Sequence, residues 1–138
     1  MYKRQAIITP HIGEFMRLTG LTKEELLKDS VAAAKYFAQE FNVILVMKNA
    51  VTVVAEPCEN GRAYINSSGT GAMSKAGMGD VLTGVIAGML SLRIEPFSAA
   101  CMGVYLHGIA GEIAEEEQGS HSVMAGDVVN ILGKAVNK

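Results

Sequence analysis

Gly77-Met78-Gly79-Asp80 runs directly into the apolar segment Val81-Leu82-Thr83-Gly84-Val85-Ile86, and its residue types and spacing suit phosphoryl chemistry. Two glycines let the backbone bend so that successive N–H groups converge where a helix begins. That first turn carries the positive end of the helix dipole and favours a phosphate oxygen or a developing negative charge. Asp80 lies in the same turn. A carboxylate beside a bound phosphate can take the proton of a hydroxyl that attacks it. The same four residues would also serve a tight turn with a capping aspartate, so the motif needs support from elsewhere in the chain. No Gly-Lys-Ser/Thr follows, which rules out a Walker A loop. Gly69-Thr70-Gly71 lacks the third glycine and the leading strand of a dinucleotide fingerprint. There is no metal-binding His pair, Ser nucleophile elbow or Cys–His arrangement.

Two other segments supply the support. Thr9-Pro10-His11-Ile12-Gly13-Glu14 puts an imidazole and a carboxylate in the loop after a strand-like run. Met47-Lys48-Asn49-Ala50-Val51-Thr52 occupies the equivalent place after the next strand and offers an ammonium and a hydroxyl. In open α/β sheets, ligands bind beyond the carboxyl ends of the strands. Taken singly, the first segment reads as a loop histidine with a capping glutamate, and the second as a solvated lysine at a turn. Together with the glycine turn they point to a pocket for a phosphate-bearing ligand.

The elements that must position these residues follow from periodicity. Ala6-Ile7-Ile8-Thr9 predicts a short buried strand stopped by Pro10. Gly13 to Thr19 suits a brief helix. Thr22 with Glu25 makes a capping-box pair, and Leu26, Leu27, Val31, Ala34 and Phe37 recur at helical spacing, which predicts one helix over about Lys23 to Phe41. Val43 to Met47 is a continuous apolar strand, so strand, helix and strand form a right-handed crossover with parallel strands. Val51–Ala55 and Arg62–Asn66 read as two more strands joined through an Asn60-Gly61 turn. Ser67 to Gly77 reads as a loop and Asp80 to Leu92 as a helix, whose Gly84 and Gly88 are expected to let it lie close to the sheet. Pro96 opens a helix to about Gln118 with Ala99, Ala100, Gly103, Leu106, His107 and Ala110 inward, and Ala125 to Val136 forms the last. The order of elements is α/β in one compact unit without internal repeats.

Bulk properties exclude several classes. Across 138 residues, 49% hydrophobic and 19% charged is the composition of a chain with a packed core, not of a disordered tail. A net charge of −2 gives no general affinity for nucleic acid or anionic membrane. Cys58 and Cys101 form neither a metal-ligand spacing nor a disulfide framework, and read as reduced thiols of a cytosolic protein. The apolar run Val81 to Leu92 is shorter than the ~20 residues of a membrane helix, and the N-terminus does not resemble a signal peptide. A cytoplasmic protein is expected. Glu112 and Glu115 to Glu117 read as a solvated helix end, and His107 as a hydrogen-bonded core residue.

With these motifs in order, the sequence resembles the C-terminal part of the ADP/ATP-dependent NAD(P)H-hydrate dehydratases of the ribokinase-like superfamily. The resemblance rests on Thr9-Pro10-His11-x-Gly13-Glu14 with Arg17-Leu18, Lys48 to Thr52, Gly69 to Asp80, Asp80-Val81-Leu82-Thr83-Gly84, Gly103-Val104-Tyr105-Leu106-His107-Gly108 and Ala125-Gly126-Asp127-Val128. It implies a partial three-layer α/β sandwich with a central, mostly parallel sheet flanked by helices. It implies phosphorylation of the hydroxyl of hydrated NADH or NADPH by ADP or ATP, followed by elimination of phosphate. Carried over by position, His11 and Asp80 contact the hydrated cofactor, with Asp80 as the base. Lys48, Asn49, Ala50, Val51, Thr52 and Gly79 contact the nucleotide, and the amides of Gly77, Met78 and Gly79 form the anion hole. Mg²⁺ is expected with the nucleotide phosphates, and a homo-oligomer is compatible with the family. Ile12 and Asn49 stand where the family usually has Pro and Gly; Asn49 bears on how closely the backbone approaches the nucleotide.

The family carries further strands and helices ahead of the segment matching Ala6. Met1 to Gln5 reads like translated sequencing adapter, with residues 6–138 as a single nucleotide-binding and catalytic domain fragment, so this chain alone is expected to be poorly active. Two alternatives share the glycine-turn chemistry or the fold: a ribokinase-like kinase of a vitamin or other small molecule, and a non-catalytic nucleotide-binding fragment.

Overall fold

A computed structural model describes residues 6–138; the adapter-like residues 1–5 lie outside the described part. The backbone forms two compact units that divide between Asn66 and Ser67.

In the first unit, β1 (Ala6–Ile8) leads through α1 (Ile12–Thr19), α2 (Lys23–Lys28) and α3 (Ser30–Phe41) to β2 (Val43–Met47), β3 (Val53–Ala55) and β4 (Ala63–Ile65). The sheet has the order β1-β2-β3-β4. β1 and β2 are parallel with Ile7 opposite Ile44, as the crossover reading expects. β2–β3 and β3–β4 are antiparallel, so the sheet is mixed and not mostly parallel. The short links after β2 and β3 explain this: a parallel return needs a crossover of a dozen or more residues, and a tight turn can only reverse the chain. Gly61 closes the hairpin between β3 and β4, its N–H donating to the Cys58 carbonyl at 2.9 Å.

β1 departs from the expected buried strand. Ala6 is exposed and Ile7 and Ile8 are half-buried, because β1 stands at the sheet edge with β2 as its one neighbour among the described residues. The single helix expected over Lys23–Phe41 is two helices. Asp29 leaves helical geometry at φ −154°, ψ 82°, and its carboxylate accepts the Ala32 N–H at 2.9 Å, starting α3 afresh. An aspartate competes for backbone donors in this way, which is why it favours helix starts over helix interiors. The core of this unit joins Phe15, Leu26, Ala34, Phe37, Ala38, Leu45, Met47, Val53 and Ala55. Leu27 falls outside it at 56% exposure. Ile44, Val46 and Val54, the alternate residues of β2 and β3, are buried too, which accounts for the unbroken apolar run of β2.

The second unit is helical: a single 3₁₀ turn at Gly71–Met73, then α4 (Met78–Ser91), α5 (Pro96–Gln118) and α6 (Ala125–Val136). Pro96 occupies the first turn of α5, capped by the Glu95 carboxylate on the Phe97 and Ser98 N–H groups. Ala110, Ile113 and Ala114 of α5 pack with Met78, Val123, Val128, Ile131 and Ala135. Gly103 is where α4 and α5 approach most closely: a Cβ there would lie 2.6 Å from Ile86 Cγ1. Gly84 and Gly88 are not contact points. Both are exposed, no atom lies within 4 Å of a Cβ built on either, and they line an open apolar groove with Val85, Leu106 and Val129. Among the described residues, no helix is long and apolar enough to cross a membrane.

Candidate active site

The residues singled out from the sequence fall into two sets, one in each unit. In the first, the parallel pairing of β1 and β2 continues past the strand ends as an isolated bridge between His11 and Lys48. The Lys48 N–H donates to the Pro10 carbonyl at 2.8 Å, so both loops leave the carboxyl edge of the sheet side by side. The capping glutamate expected at Glu14 is present, and the histidine expected in the loop caps the helix as well. His11 is the N-cap of α1: its Nδ1 accepts the Glu14 N–H at 3.2 Å, and its own N–H donates to Glu14 Oε2 at 2.8 Å. A nitrogen that accepts cannot carry a proton, so neutral His11 holds its hydrogen on Nε2, which lies 3.5 Å from Glu14 Oε1. Both side chains stay about half exposed, so the cap leaves the imidazole open to a ligand.

The Glu14 carboxyl is held below its ordinary value, foremost by the His11 backbone N–H, against the cost of desolvation, and further by the His11, Lys48 and Arg17 charges. Glu14 is therefore ionised at neutral pH, and the Lys48 ammonium lies within its electrostatic reach. Lys48 is half-buried, whereas Asn49, Ala50 and Val51 are exposed. Thr52 ends the loop, its carbonyl accepting the Asn66 N–H at 2.9 Å. This is a strand-edge loop with free peptide groups and one cation.

In the second unit, α4 begins two residues before the expected Asp80. Gly77 adopts the left-handed conformation at φ 86°, and its carbonyl already accepts the Val81 N–H at 3.1 Å. Only glycine takes that backbone without strain. No side chain caps the helix. Met78 donates to the Lys75 carbonyl at 3.4 Å, which leaves the N–H groups of Gly79 and Asp80 as the open donors of the first turn. Of the three amides expected to form the anion hole, those of Gly77, Met78 and Gly79, the Met78 amide is turned to Lys75 and the Gly79 amide stays open. Asp80 is exposed, and its carboxylate makes no hydrogen bond or ion pair with any other described residue. The tight-turn reading holds for Gly77, whereas Gly79 lies within α4 and Asp80 does not cap the helix.

Several groups that hold the loop leading to this turn escaped sequence reading. The Ser68 hydroxyl donates to the Tyr105 carbonyl at 2.9 Å, and the Gly69 N–H to Glu112 Oε1 at 2.7 Å. Glu112 is therefore a half-buried clamp and not part of a solvated helix end. The loop lies on α5 where that helix has no side chains: a Cβ on Gly108 would lie 2.1 Å from Ser68 Oγ, and one on Gly111 2.2 Å from Met73 Sδ. The spacing of Gly108 and Gly111, three apart on one helix, was the available signal. Among the described residues, no cluster of three or more His, Cys, Asp or Glu side chains is arranged to hold a metal.

Comparison with known proteins matches this architecture. The family model described as NAD(P)H-hydrate dehydratase covers residues 1–134. The chain is 43% identical over 126 residues to the bifunctional NAD(P)H-hydrate repair enzyme Nnr of Moorella thermoacetica, covering 91% of this chain and 23% of that protein. It is 40% identical over 126 residues to the ADP-dependent (S)-NAD(P)H-hydrate dehydratase of Bacillus subtilis, covering 91% of this chain and 45% of that one. The crystal structure of the B. subtilis ADP/ATP-dependent NAD(P)H-hydrate dehydratase, co-crystallised with ATP and Mg²⁺, superposes with a TM-score of 0.90 at 37% identity, over 99% of this chain and 50% of that one. The chain thus spans half or less of the length of these relatives. A ribokinase-like protein of Enterococcus faecalis shares the fold, with a TM-score of 0.74 at 23% identity. With a family model matched over nearly its whole length and curated relatives at 40% identity or more, the chain belongs to the NAD(P)H-hydrate dehydratase family.

Proposed function

We propose that the protein carries out nucleotide-dependent dehydration of hydrated NADH or NADPH, using ADP or ATP, and that residues 6–138 form its nucleotide-binding and catalytic part. The observation that carries this reading is the uncapped start of α4, where the open Gly79 and Asp80 amides and the unpaired Asp80 carboxylate share one helical turn. The amides face the oxygens of a transferring phosphoryl group, and Asp80 draws the proton from the substrate hydroxyl that attacks it. The new O–P bond forms as the bond to the nucleotide's leaving phosphate breaks. Phosphate then departs from the ring carbon together with a ring proton, and the double bond of the dihydronicotinamide is restored. His11, ordered by Glu14 and half exposed, serves as a donor to the hydrated cofactor. Lys48 to Thr52 hold the nucleotide through the ammonium and exposed peptide groups.

Among the described residues no His, Cys, Asp or Glu cluster is suited to a metal, and Mg²⁺ fits as a companion of the nucleotide phosphates, where it would neutralise their charge. A family model that runs through both units supports treating them as parts of one domain. The same reading makes the protein a cytoplasmic repair enzyme with small-molecule partners. Incubating the protein with hydrated NADH, Mg²⁺ and either nucleotide should restore NADH absorbance, with residues 6–138 alone turning over more slowly. Asp80→Asn should lower that rate by ~10²–10⁴-fold while nucleotide affinity is retained. A D80N protein as fast as the parent would end the assignment of the base; a stable phosphorylated product without recovery of NADH would mark a kinase instead.

A further inference from the structure

We propose that Lys75 is a positioning residue for phosphoryl transfer: its ammonium ties the entrance of α6 to the entrance of α4 and so sets the direction of the Gly79 and Asp80 amides. The proposal rests on the function assigned above and adds a residue to that site. Lys75 Nζ donates to the carbonyls of His121 and Val123, each at 2.7 Å, across 46 and 48 residues of chain. Both acceptors belong to the segment immediately before α6, and Val123 is fully buried, so the anchor point is fixed. The same residue acts on α4 through its backbone, whose carbonyl takes the Met78 N–H at 3.4 Å and closes the first turn. Between the two attachments stands Gly77, where a Cβ would lie 3.1 Å from the Ala125 methyl of α6. The α6 entrance therefore abuts the left-handed turn that aims the anion-binding amides, and Lys75 joins them by two charge-assisted bonds. Lys75 is half-buried, and among the described residues it bonds backbone carbonyls and no carboxylate, so its role differs from that of a surface ion pair such as Lys134–Glu117.

The amides act on the phosphoryl group in transit, whereas the nucleotide is assigned to Lys48–Thr52. Loosening Lys75 should therefore lower kcat more than it raises the nucleotide KM. In the protein, Lys75→Met should reduce kcat by ~10–100-fold, the cost of misplacing catalytic groups by about 1 Å, with the nucleotide KM changed less than about threefold. Lys75→Arg, which keeps the charge and several donors, should recover kcat to within about fivefold of the parent. A second readout is independent of turnover: titration with inorganic phosphate, followed through the backbone amide resonances of Gly79 and Asp80, should show saturable shifts in the parent and in K75R. In K75M the phosphate affinity should fall at least about tenfold. If K75M keeps the parent kcat, or loses only thermal stability with phosphate affinity and kcat per folded molecule unchanged, Lys75 has no positioning role and the assigned function stands. If the parent shows no dehydratase activity while phosphate binding at these amides depends on Lys75, the assigned function falls and the positioning role stands. If phosphate moves neither amide in the parent, both are overturned.

Discussion

Replacing Gly108 by alanine puts one methyl group between α5 and the loop that leads to the glycine turn of α4. A Cβ at this position would lie 2.1 Å from Ser68 Oγ, 2.7 Å from Ser68 Cβ and 2.8 Å from the Ser68 carbonyl carbon. The hydroxyl can rotate away, giving up its 2.9 Å bond to the Tyr105 carbonyl. The backbone carbon cannot. Ordinary contact begins near 3.4 Å, so the Ser68 backbone must retreat by about 0.6 Å, an overpacking that costs ~1–3 kcal/mol. Alanine in a helix interior returns about 1 kcal/mol relative to glycine, so the net loss of stability is small, about 0–2 kcal/mol. Activity should suffer more. The Gly69 N–H, next in the chain, is held to Glu112 at 2.7 Å, and a displaced Ser68 pulls on that clamp and on the turn beyond it. We expect kcat to fall by ~10–100-fold, as for other sub-ångström to ångström misplacements of catalytic groups. The assays are recovery of NADH absorbance from hydrated NADH and a urea unfolding curve on the same preparation. Gly84→Ala and Gly88→Ala are the matched controls, because nothing lies within 4 Å of a Cβ on either. Each should gain ~0.5–1 kcal/mol with kcat unchanged. A G108A protein with parental kcat and a stability gain like that of the controls would refute the close-packing argument.

Asp29→Ala removes the cap between α2 and α3 and should cost ~1 kcal/mol in urea unfolding, with kcat per folded molecule unchanged. Gly111→Ala should be milder in activity than Gly108→Ala, because the atoms it meets all belong to the flexible Met73 side chain, and the two kcat values compare them directly. In the β3–β4 hairpin, Arg62 pairs with Glu56 at 2.7 Å and lowers its carboxyl to about 2, against the opposing cost of desolvation and with help from the Arg62 backbone N–H. Because the folded value is depressed, the stabilisation is complete above the ordinary value of 4.5 and is lost as pH falls towards about 2. Glu56→Gln should therefore be less stable than the parent by ~1 kcal/mol at neutral pH, a figure discounted for the exposed Arg62 partner, and the two urea midpoints should converge at the acid end.

Features that depend on near neighbours in the chain were legible in the sequence. The Thr22–Glu25 capping box, the apolar run of β2, the start of α5 at Pro96 and the span of α6 all stand where pattern and turn chemistry put them, whereas the reversal expected at Asn60-Gly61 is centred one residue earlier, on Glu59-Asn60. The glycine turn before Asp80 belongs with these, since two glycines ahead of an apolar helix define a local bend. The break at Asp29 was local as well, but the apolar periodicity running across it concealed the competing cap. Only the tertiary structure decided strand direction after β2, because a continuous apolar strand reads the same in parallel and antiparallel pairing. It also separated the glycines that matter from those that do not. Gly84, Gly88, Gly108 and Gly111 look alike in the sequence, yet the first pair faces open space and the second faces Ser68 and Met73. The bonds of Glu112 and Lys75 span 43 to 48 residues, and no local pattern encodes which distant backbone group a long charged side chain will reach. Chain-local chemistry specifies the elements and the glycine turn; how rigidly that turn is held depends on which remote surfaces packing brings against it.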